Sequence, residues 1–401
     1  MNENQQIENQ LLDEVYSLLG STQTETIMSL IEAHCEKHNI SQRQLSQILG
    51  FQRKSLQRLL DGETKKIDLL TFLKINHFLG IGLDKLMQVY VSSLGQEKIK
   101  EMEDARVRTF IVENFDLDGL KKIGFLNSTS DFNLIHDRIV QFFQLETIYD
   151  YQDGVYAYFS RTKNQSSDNM RTLWVKSAHA QFSRIDNPNN YNRNQLIELI
   201  PNIRPYTRHE NTGLLTVVKA LYNIGITVIY QKYIPKLQVR GATFIVKEKP
   251  CIVLTDWRNY DSIWFTLMHE LHHVLYDFDK LSSTKYHLSG EPDVLLLEEE
   301  ANEFAKEYLF SDEKMKYISN FIDSHGVVEE YAKKQKIHQS IIYSFYCWKK
   351  KETDDSDIGY KKFSKHFVKA DVALNSLNYF DWSEDNIGEI AKRLQNTLSK
   401  Y

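Results

Sequence analysis

Apolar positions in the first half of the chain recur at helical spacing. Ile27, Leu30 and Ile31 form one set, and Leu134, Ile135, Ile139, Phe142 and Phe143 form another, with Ser130 placed as the N-cap of the second. Two breaks interrupt the helical stretch, at Asn127-Ser128-Thr129 and over the polar residues 161–169. Residues 186–190 (Asp-Asn-Pro-Asn-Asn) read as an exposed loop. The period then changes. Residues 226–230, 242–246 and 251–254 are short, β-branched and aromatic runs bounded by Gly or Pro, which predicts three strands. All six prolines lie between residues 188 and 292, around these runs. Helical patterning returns after Asp261 and ends in an amphipathic helix over 383–400, preceded by an acidic cluster at 352–357 that reads as a solvated linker. The pattern predicts a mainly α fold with a small β-sheet.

A length of 401 residues allows two or three domains. With 49 Lys and Arg against 54 Asp and Glu, the net charge of −5 excludes a uniformly basic nucleic-acid coat, so any DNA contact must come from a local patch. Cys35, Cys251 and Cys347 are odd in number and far apart, which fits neither a disulfide framework nor a cysteine zinc cage, and a reducing cytoplasm is expected. No apolar run approaches the roughly 18 residues of a membrane span, so neither secretion nor membrane insertion is expected.

Such a patch occurs near the N-terminus. Residues 40–51 read as a helix ending at a glycine turn, and a second helix follows from 52 to about 60. Leu45, Ile48, Leu49, Leu56 and Leu59 form the inward face, while Arg43, Gln52, Arg53, Lys54, Gln57 and Arg58 point outward. Between Ser41 and Lys66, Arg43, Arg53, Lys54, Arg58, Lys65 and Lys66 stand against Asp61 and Glu63. Gln and Arg read adenine and guanine edges, and Lys and Arg neutralise phosphates. The plainer reading is a helical protein-binding module with a solvated charged face. Residues 24–90 resemble the XRE-type helix-turn-helix of lambda-repressor-like regulators. Ser41-Gln42, Leu45-Ser46, Leu49-Gly50, Leu56 and Leu60-Asp61-Gly62, then Leu73, Leu79-Gly80-Ile81 and Leu86, match its core and turns. The resemblance implies a DNA-binding domain over 1–93 that binds double-stranded operator DNA as a homodimer. Gln52, Arg53 and Gln57 would lie at the major groove, with Gln42 and Arg58 nearer phosphates, and Arg43 and Lys54 are further DNA-binding candidates.

The sharpest motif is His269-Glu270-Leu271-His272-His273. On a helix, Trp264, Leu267, Leu271, Val274, Leu275 and Phe278 share a stripe, and His269 and His273 lie roughly opposite it. Two imidazoles one turn apart can chelate one zinc ion, and Glu270 is placed to take a proton from water activated there. His272 points about 100° away from His273. A second helix over 297–309 has Ala301, Phe304, Ala305, Tyr308 and Leu309 as its buried stripe, with Glu298 about 50° from its centre, Glu300 about 110° and Glu299 about 150°. Only Glu298 faces inward, which makes it the candidate third ligand, and Asn302 one turn later could hydrogen-bond a ligand histidine. Taken singly, the histidines also fit a satisfied structural pair, and the three glutamates a solvated first turn.

Residues 196–349 are similar to the ImmA/IrrE-type zinc metallopeptidases, in the group that carries an XRE domain and is called HigA-like antitoxin regulators. Gly241-Ala242-Thr243, residues 249–254, 261–273 and 298–305 carry the likeness, with 140–143 and 337–342 fitting the same group. It implies an α+β gluzincin-like domain over 196–350, with Zn2+ on His269, His273 and Glu298 and Glu270 as catalytic base. Residues 94–195 would be a helical linker or middle region and 351–401 a helical tail. His272 stands where the family usually has Gly, and Asp277 where it often has His. His287, Tyr286 and Arg258 are the candidate oxyanion donors. The implied function is a cytoplasmic transcription regulator whose peptidase domain cleaves a specific repressor, a partner or itself in a stress or defence response. The alternative is an antitoxin-like repressor that binds a toxin and keeps a structural or inactive metal site.

Overall fold

The computed structural model describes residues 25–51, 67–92, 96–152, 165–235, 237–284, 286–288, 298–354, 358–377, 380–383 and 386–399. The chain divides into two compact units, Met1–Thr109 and Phe110–Tyr401, and the described part is mainly helical with one small sheet. No described helix is long and apolar enough to cross a membrane.

In the first unit, α1 (Ile27–His38), α2 (Gln42–Leu49), α3 (Leu69–Leu79) and α4 (Leu83–Ser92) close around Ile31, Leu45, Ile75 and Leu86. Local chemistry sets their ends. Thr26, Ser41 and Asp68 cap the first three by accepting backbone N–H bonds, and Asn39, Gly50 and Gly80 end them in the left-handed conformation. Ile48 and Leu73 depart from the inward pattern and are 57% and 43% exposed, because α2 turns Leu45 and Leu49 to the core and α3 turns Phe72, Ile75 and Leu79.

Helix α5 (Gln96–Asn114) leads into the second unit, where α6 (Leu117–Lys122), α7 (Phe132–Phe143), α8 (Gln165–Ile185), α9 (Arg193–Leu199) and α10 (Gly213–Asn223) precede the sheet. Strands β1 (Thr227–Tyr230), β2 (Gly241–Val246) and β3 (Lys249–Leu254) follow, then α11 (Tyr260–Tyr276), α12 (Phe278–Thr284) and β4 (Tyr286–Leu288). The remaining helices are α13 (Glu298–Phe310), α14 (Asp312–Ile318), α15 (His325–Gln335), α16 (Gln339–Asp354), α17 (Ile358–Lys362), α18 (Asp371–Leu374) and α19 (Ile387–Ser399).

The sheet order is β1-β3-β2-β4, with β1 parallel to β3 and the other pairs antiparallel. Its two faces differ because side chains alternate along β2. Phe244 points to one face, where it stacks on its cross-strand partner Tyr286 and meets Phe182 of α8. Gly241, Thr243 and Ile245 point to the other, together with His287, which pairs directly with Thr243. Helix α11 packs on β2 and β3, and α13 packs on α11.

Several sequence expectations need correction. The α7 cap is Asp131, not Ser130, since Asp131 accepts the Leu134 N–H, and Leu134 is 63% exposed. Residues 165–169 belong to α8 rather than a break. The loop at 186–190 is not wholly exposed: Asn187 is buried, its Nδ2 donating to the carbonyl of Tyr222 at the end of α10. That loop presses on Gly225, whose φ is +87° and where an added Cβ would stand 2.3 Å from the Tyr191 nitrogen. The acidic cluster begins inside α16, which runs to Asp354. The last helix is shorter than 383–400, and its stripe of Ile387, Ile390, Ala391, Leu394 and Leu398 is buried, with α8 packed on it. Strand β4 has no counterpart among the three strands expected from the sequence.

Lys176 of α8 is 3% exposed, donates to the Tyr151 carbonyl and lies 3.8 Å from the centre of the Tyr151 ring. Burial pushes its pKa down to about 8 from an ordinary 10.5. Between those values the unfolded chain holds a proton that the folded chain has released, so stability rises with pH across this window. Below about 8 both states are charged, and the buried ammonium costs on the order of a few kcal/mol. Urea midpoints at the two ends of the window should show that rise in the wild type, and Lys176→Met should flatten it.

Candidate metal centre

Helix α11 is buried on nearly all sides, so its histidines as well as its Trp264–Leu267–Leu271 stripe face protein. Its last carbonyls, which have no partner within the helix, accept from the Tyr191 hydroxyl (Val274 O, 3.3 Å) and the Arg193 Nε (Leu275 O, 3.2 Å). Helix α13 approaches through small side chains. Ala301, Ala305, Leu309 and Phe310 form its buried stripe, whereas Phe304 is half-buried and Tyr308 exposed, because two alanines allow a closer approach than the aromatics would. This packing brings Glu298, at the first turn of α13, over His269 and His273.

The distances define a cluster. His269 Nε2 and His273 Nε2 are 3.2 Å apart, and Glu298 oxygens lie 3.4 Å from each. The other ring nitrogens are held from behind: His269 Nδ1 donates to Asn302 Oδ1 at 3.1 Å, and His273 Nδ1 donates to Asp277 Oδ2 at 3.0 Å. With the protons at Nδ1, both Nε2 lone pairs turn toward Glu298. His287 of β4 joins them, its Nε2 donating to Glu298 Oε1 at 2.6 Å, and the ligand atoms of His269, His273, His287 and Glu298 all lie within 4.8 Å of one another.

This donor set fits zinc. Two atoms each about 2.1 Å from a tetrahedral centre lie about 3.4 Å apart, which is the spacing among His269, His273 and Glu298. The shorter contact from His287 is that of an N–H donated to a carboxylate, so His287 orients Glu298.

The charges agree with this arrangement. Burial raises the Glu298 pKa, but the imidazoles of His269, His273 and His287 outweigh it and hold the carboxyl far below the usual carboxylate range. For His273, burial is outweighed by Glu298, Glu270 and Asp277, and its pKa is raised. His272 is different. Burial, then the neighbouring His273, pushes it down to about 4, and its buried Nδ1 has no hydrogen-bond partner.

Glu270 is wholly buried beside the cluster. Thr243 Oγ1 donates to its Oε2 at 2.7 Å, and the strand backbone beneath comes so close that a Cβ on Gly241 would stand 2.6 Å from its Oε1. Thr243 and His287 are paired across β2 and β4, so one register positions the partner of Glu270 and the partner of Glu298.

Sequence reasoning assigns no role to Thr243, Asp277 or Gly241, and considers His287 only as an oxyanion donor. Asp277 carries a signal, four residues after His273, and Thr243 is the polar residue in an apolar strand. Of the other oxyanion candidates, Tyr286 stacks on Phe244 on the far face of the sheet, and Arg258 lines the cleft that contains His269 and Glu298. In the first unit, Gln42 and Arg43 are exposed on α2. Gln52, Arg53, Lys54, Gln57 and Arg58 lie outside the described residues.

If Asn302 and Asp277 aim the imidazoles, Asn302→Ala and Asp277→Ala should each weaken zinc binding about 10–100-fold in chelator competition, with the helical circular dichroism unchanged. Residues 223–333, which include the sheet, α11 and α13, match the family model of the M78 peptidases, described as the IrrE N-terminal-like domain. No curated protein and no solved structure matches the chain. Residues 223–333 thus form an ImmA/IrrE peptidase-like domain, of the metallopeptidase type.

Proposed function

We infer that the second unit is a zinc-dependent peptidase that cleaves a specific protein, and that the first unit binds operator DNA, so that cleavage and transcription are coupled in one chain. The observation that carries the peptidase reading is Glu270: a buried carboxylate fixed by Thr243 next to convergent ligands. A purely structural metal site has no need of a base at that position. His269, His273 and Glu298 would hold the ion, which when bound polarises a carbonyl and lowers the pKa of water.

The protein's own groups do the rest. Glu270 takes the proton from attacking water and returns it to the leaving amine, a role that requires the fixed orientation Thr243 supplies. His287 keeps Glu298 aligned by its short hydrogen bond. Burial of His273 and Glu270 excludes bulk water from that side. The DNA-binding half is supported by the capped helix α2 with Gln42 and Arg43 exposed, and by the local excess of basic residues between Ser41 and Lys66.

Purified wild type should contain one equivalent of zinc, and Glu298→Ala should lose it. Glu270→Gln should keep zinc but lower cleavage of a protein encoded beside the gene by about 10²–10⁴-fold. Duplex binding by the full chain should weaken steeply with added salt. Zinc retained with no Glu270-dependent cleavage would instead favour an antitoxin-like DNA-binding protein with a structural metal site.

A further inference from the structure

A cleft of about 270 Å³ opens beside His269 and Glu298, small enough to take a side chain and its neighbour rather than a folded surface. One wall is aromatic. Phe265, one turn before His269, meets Trp348 edge-on at 5.2 Å and Phe345 at 6.0 Å, both from α16. Phe265 itself lies 6.3 Å from the His269 ring, so this wall begins at the metal residues and leads outward.

The rim is cationic. The guanidinium carbons of Arg240 and Arg258 each lie 4.2 Å from the centre of the Trp257 ring, which holds both side chains in place. Partial desolvation, then the neighbouring charge of Arg258, lowers the Arg240 pKa. Each guanidinium feels one carboxylate of the cleft, Arg240 that of Glu298 and Arg258 that of Asp261. Arg258 is also kept at φ +65°, in the left-handed region that non-glycine residues rarely adopt. Arg240 immediately precedes Gly241, over which Glu270 sits, so the cationic rim is close in sequence and space to the base.

A third feature lies in the wall of the same cleft. Asp261, on the first turn of α11, lines it and is 3% exposed, yet its Oδ1 has no hydrogen-bond partner. A buried acceptor left unpaired is costly unless a ligand N–H reaches it. Asp261 and Glu298 are the acidic residues lining the cleft among those described, and Glu298 is turned onto the imidazoles.

We propose that this cleft is the substrate subsite of the peptidase, and that it selects a peptide with an aromatic side chain next to an acidic one. The aromatic group packs on Phe265, Phe345 and Trp348, and the carboxylate pairs with Arg240 and Arg258. Planar guanidinium groups suit a carboxylate, which they can engage bidentately, and two repelling cations gain most from an anion between them. The inference rests on the peptidase reading of the metal centre.

The test uses the full chain carrying Glu270→Gln, so that binding is read without turnover. Short rhodamine-labelled peptides, identical except for Glu-Phe, Gln-Phe or Lys-Phe at the centre, are titrated by fluorescence anisotropy. The Glu-Phe peptide should bind about tenfold more tightly than Gln-Phe, and Lys-Phe more weakly still. Adding Arg240→Gln and Arg258→Gln should reduce the Glu-over-Gln preference to about twofold or less, with melting temperature and zinc content unchanged, while Arg240→Lys should retain part of it. Equal affinity for Glu-Phe and Gln-Phe, or a preference that survives the double substitution, overturns the proposal. Wild-type cleavage without any charge preference overturns the subsite and leaves the peptidase. Arginine-dependent preference without Glu270-dependent cleavage of any protein keeps the subsite and overturns the peptidase.

Discussion

A carboxylate drawn in among imidazoles is the constraint on which the second unit depends. Glu298 faces the Nε2 atoms of His269, His273 and His287 at 2.6–3.4 Å. A charge withdrawn from water destabilises the fold unless hydrogen bonds and opposite charge answer it. Here the answer comes from two elements, α11 and β4, so neither can shift without exposing the carboxylate's cost. Ala301 and Ala305 make the approach of α13 to α11 possible, and the pairing of β4 with β2 brings His287 to the same point.

The same sheet register links the candidate metal residues to Glu270. Thr243 and His287 are opposite one another on β2 and β4, so a one-residue slip would turn both to the other face and deprive Glu270 and Glu298 of their partners together. Gly241 completes this arrangement by leaving room for the Glu270 carboxylate. The partners of Glu270 and Glu298 are thus set by a few residues of β2 and by its pairing with β4.

Local periodicity makes much of this legible. The i, i+4 spacing of His269 and His273 puts both rings on one turn, and the helical wheel turns Glu298 inward while Glu299 and Glu300 remain exposed. Three strands are readable from β-branched runs. Strand β4 is not, because three residues show no usable alternation and exist as a strand only through pairing with β2. For the same reason the place of His287 beside Glu298 is a tertiary fact. Tyr308 and Ile48 show the opposite error: each fits a stripe on an isolated helix, but the packing angle leaves it exposed. Asn187 shows a third, since a loop composition that reads as solvent-facing is used here to satisfy the end of α10.

On the proposed reading, His269, His273 and Glu298 hold one zinc ion with Glu270 poised beside it. Anomalous difference data at the zinc edge, from crystals of the zinc-loaded full chain, test it most directly. A single peak in this unit is expected about 2.0–2.2 Å from His269 Nε2, His273 Nε2 and a Glu298 oxygen, with Glu270 near it but not coordinated. A zinc peak on other residues, or direct coordination by Glu270, would contradict it.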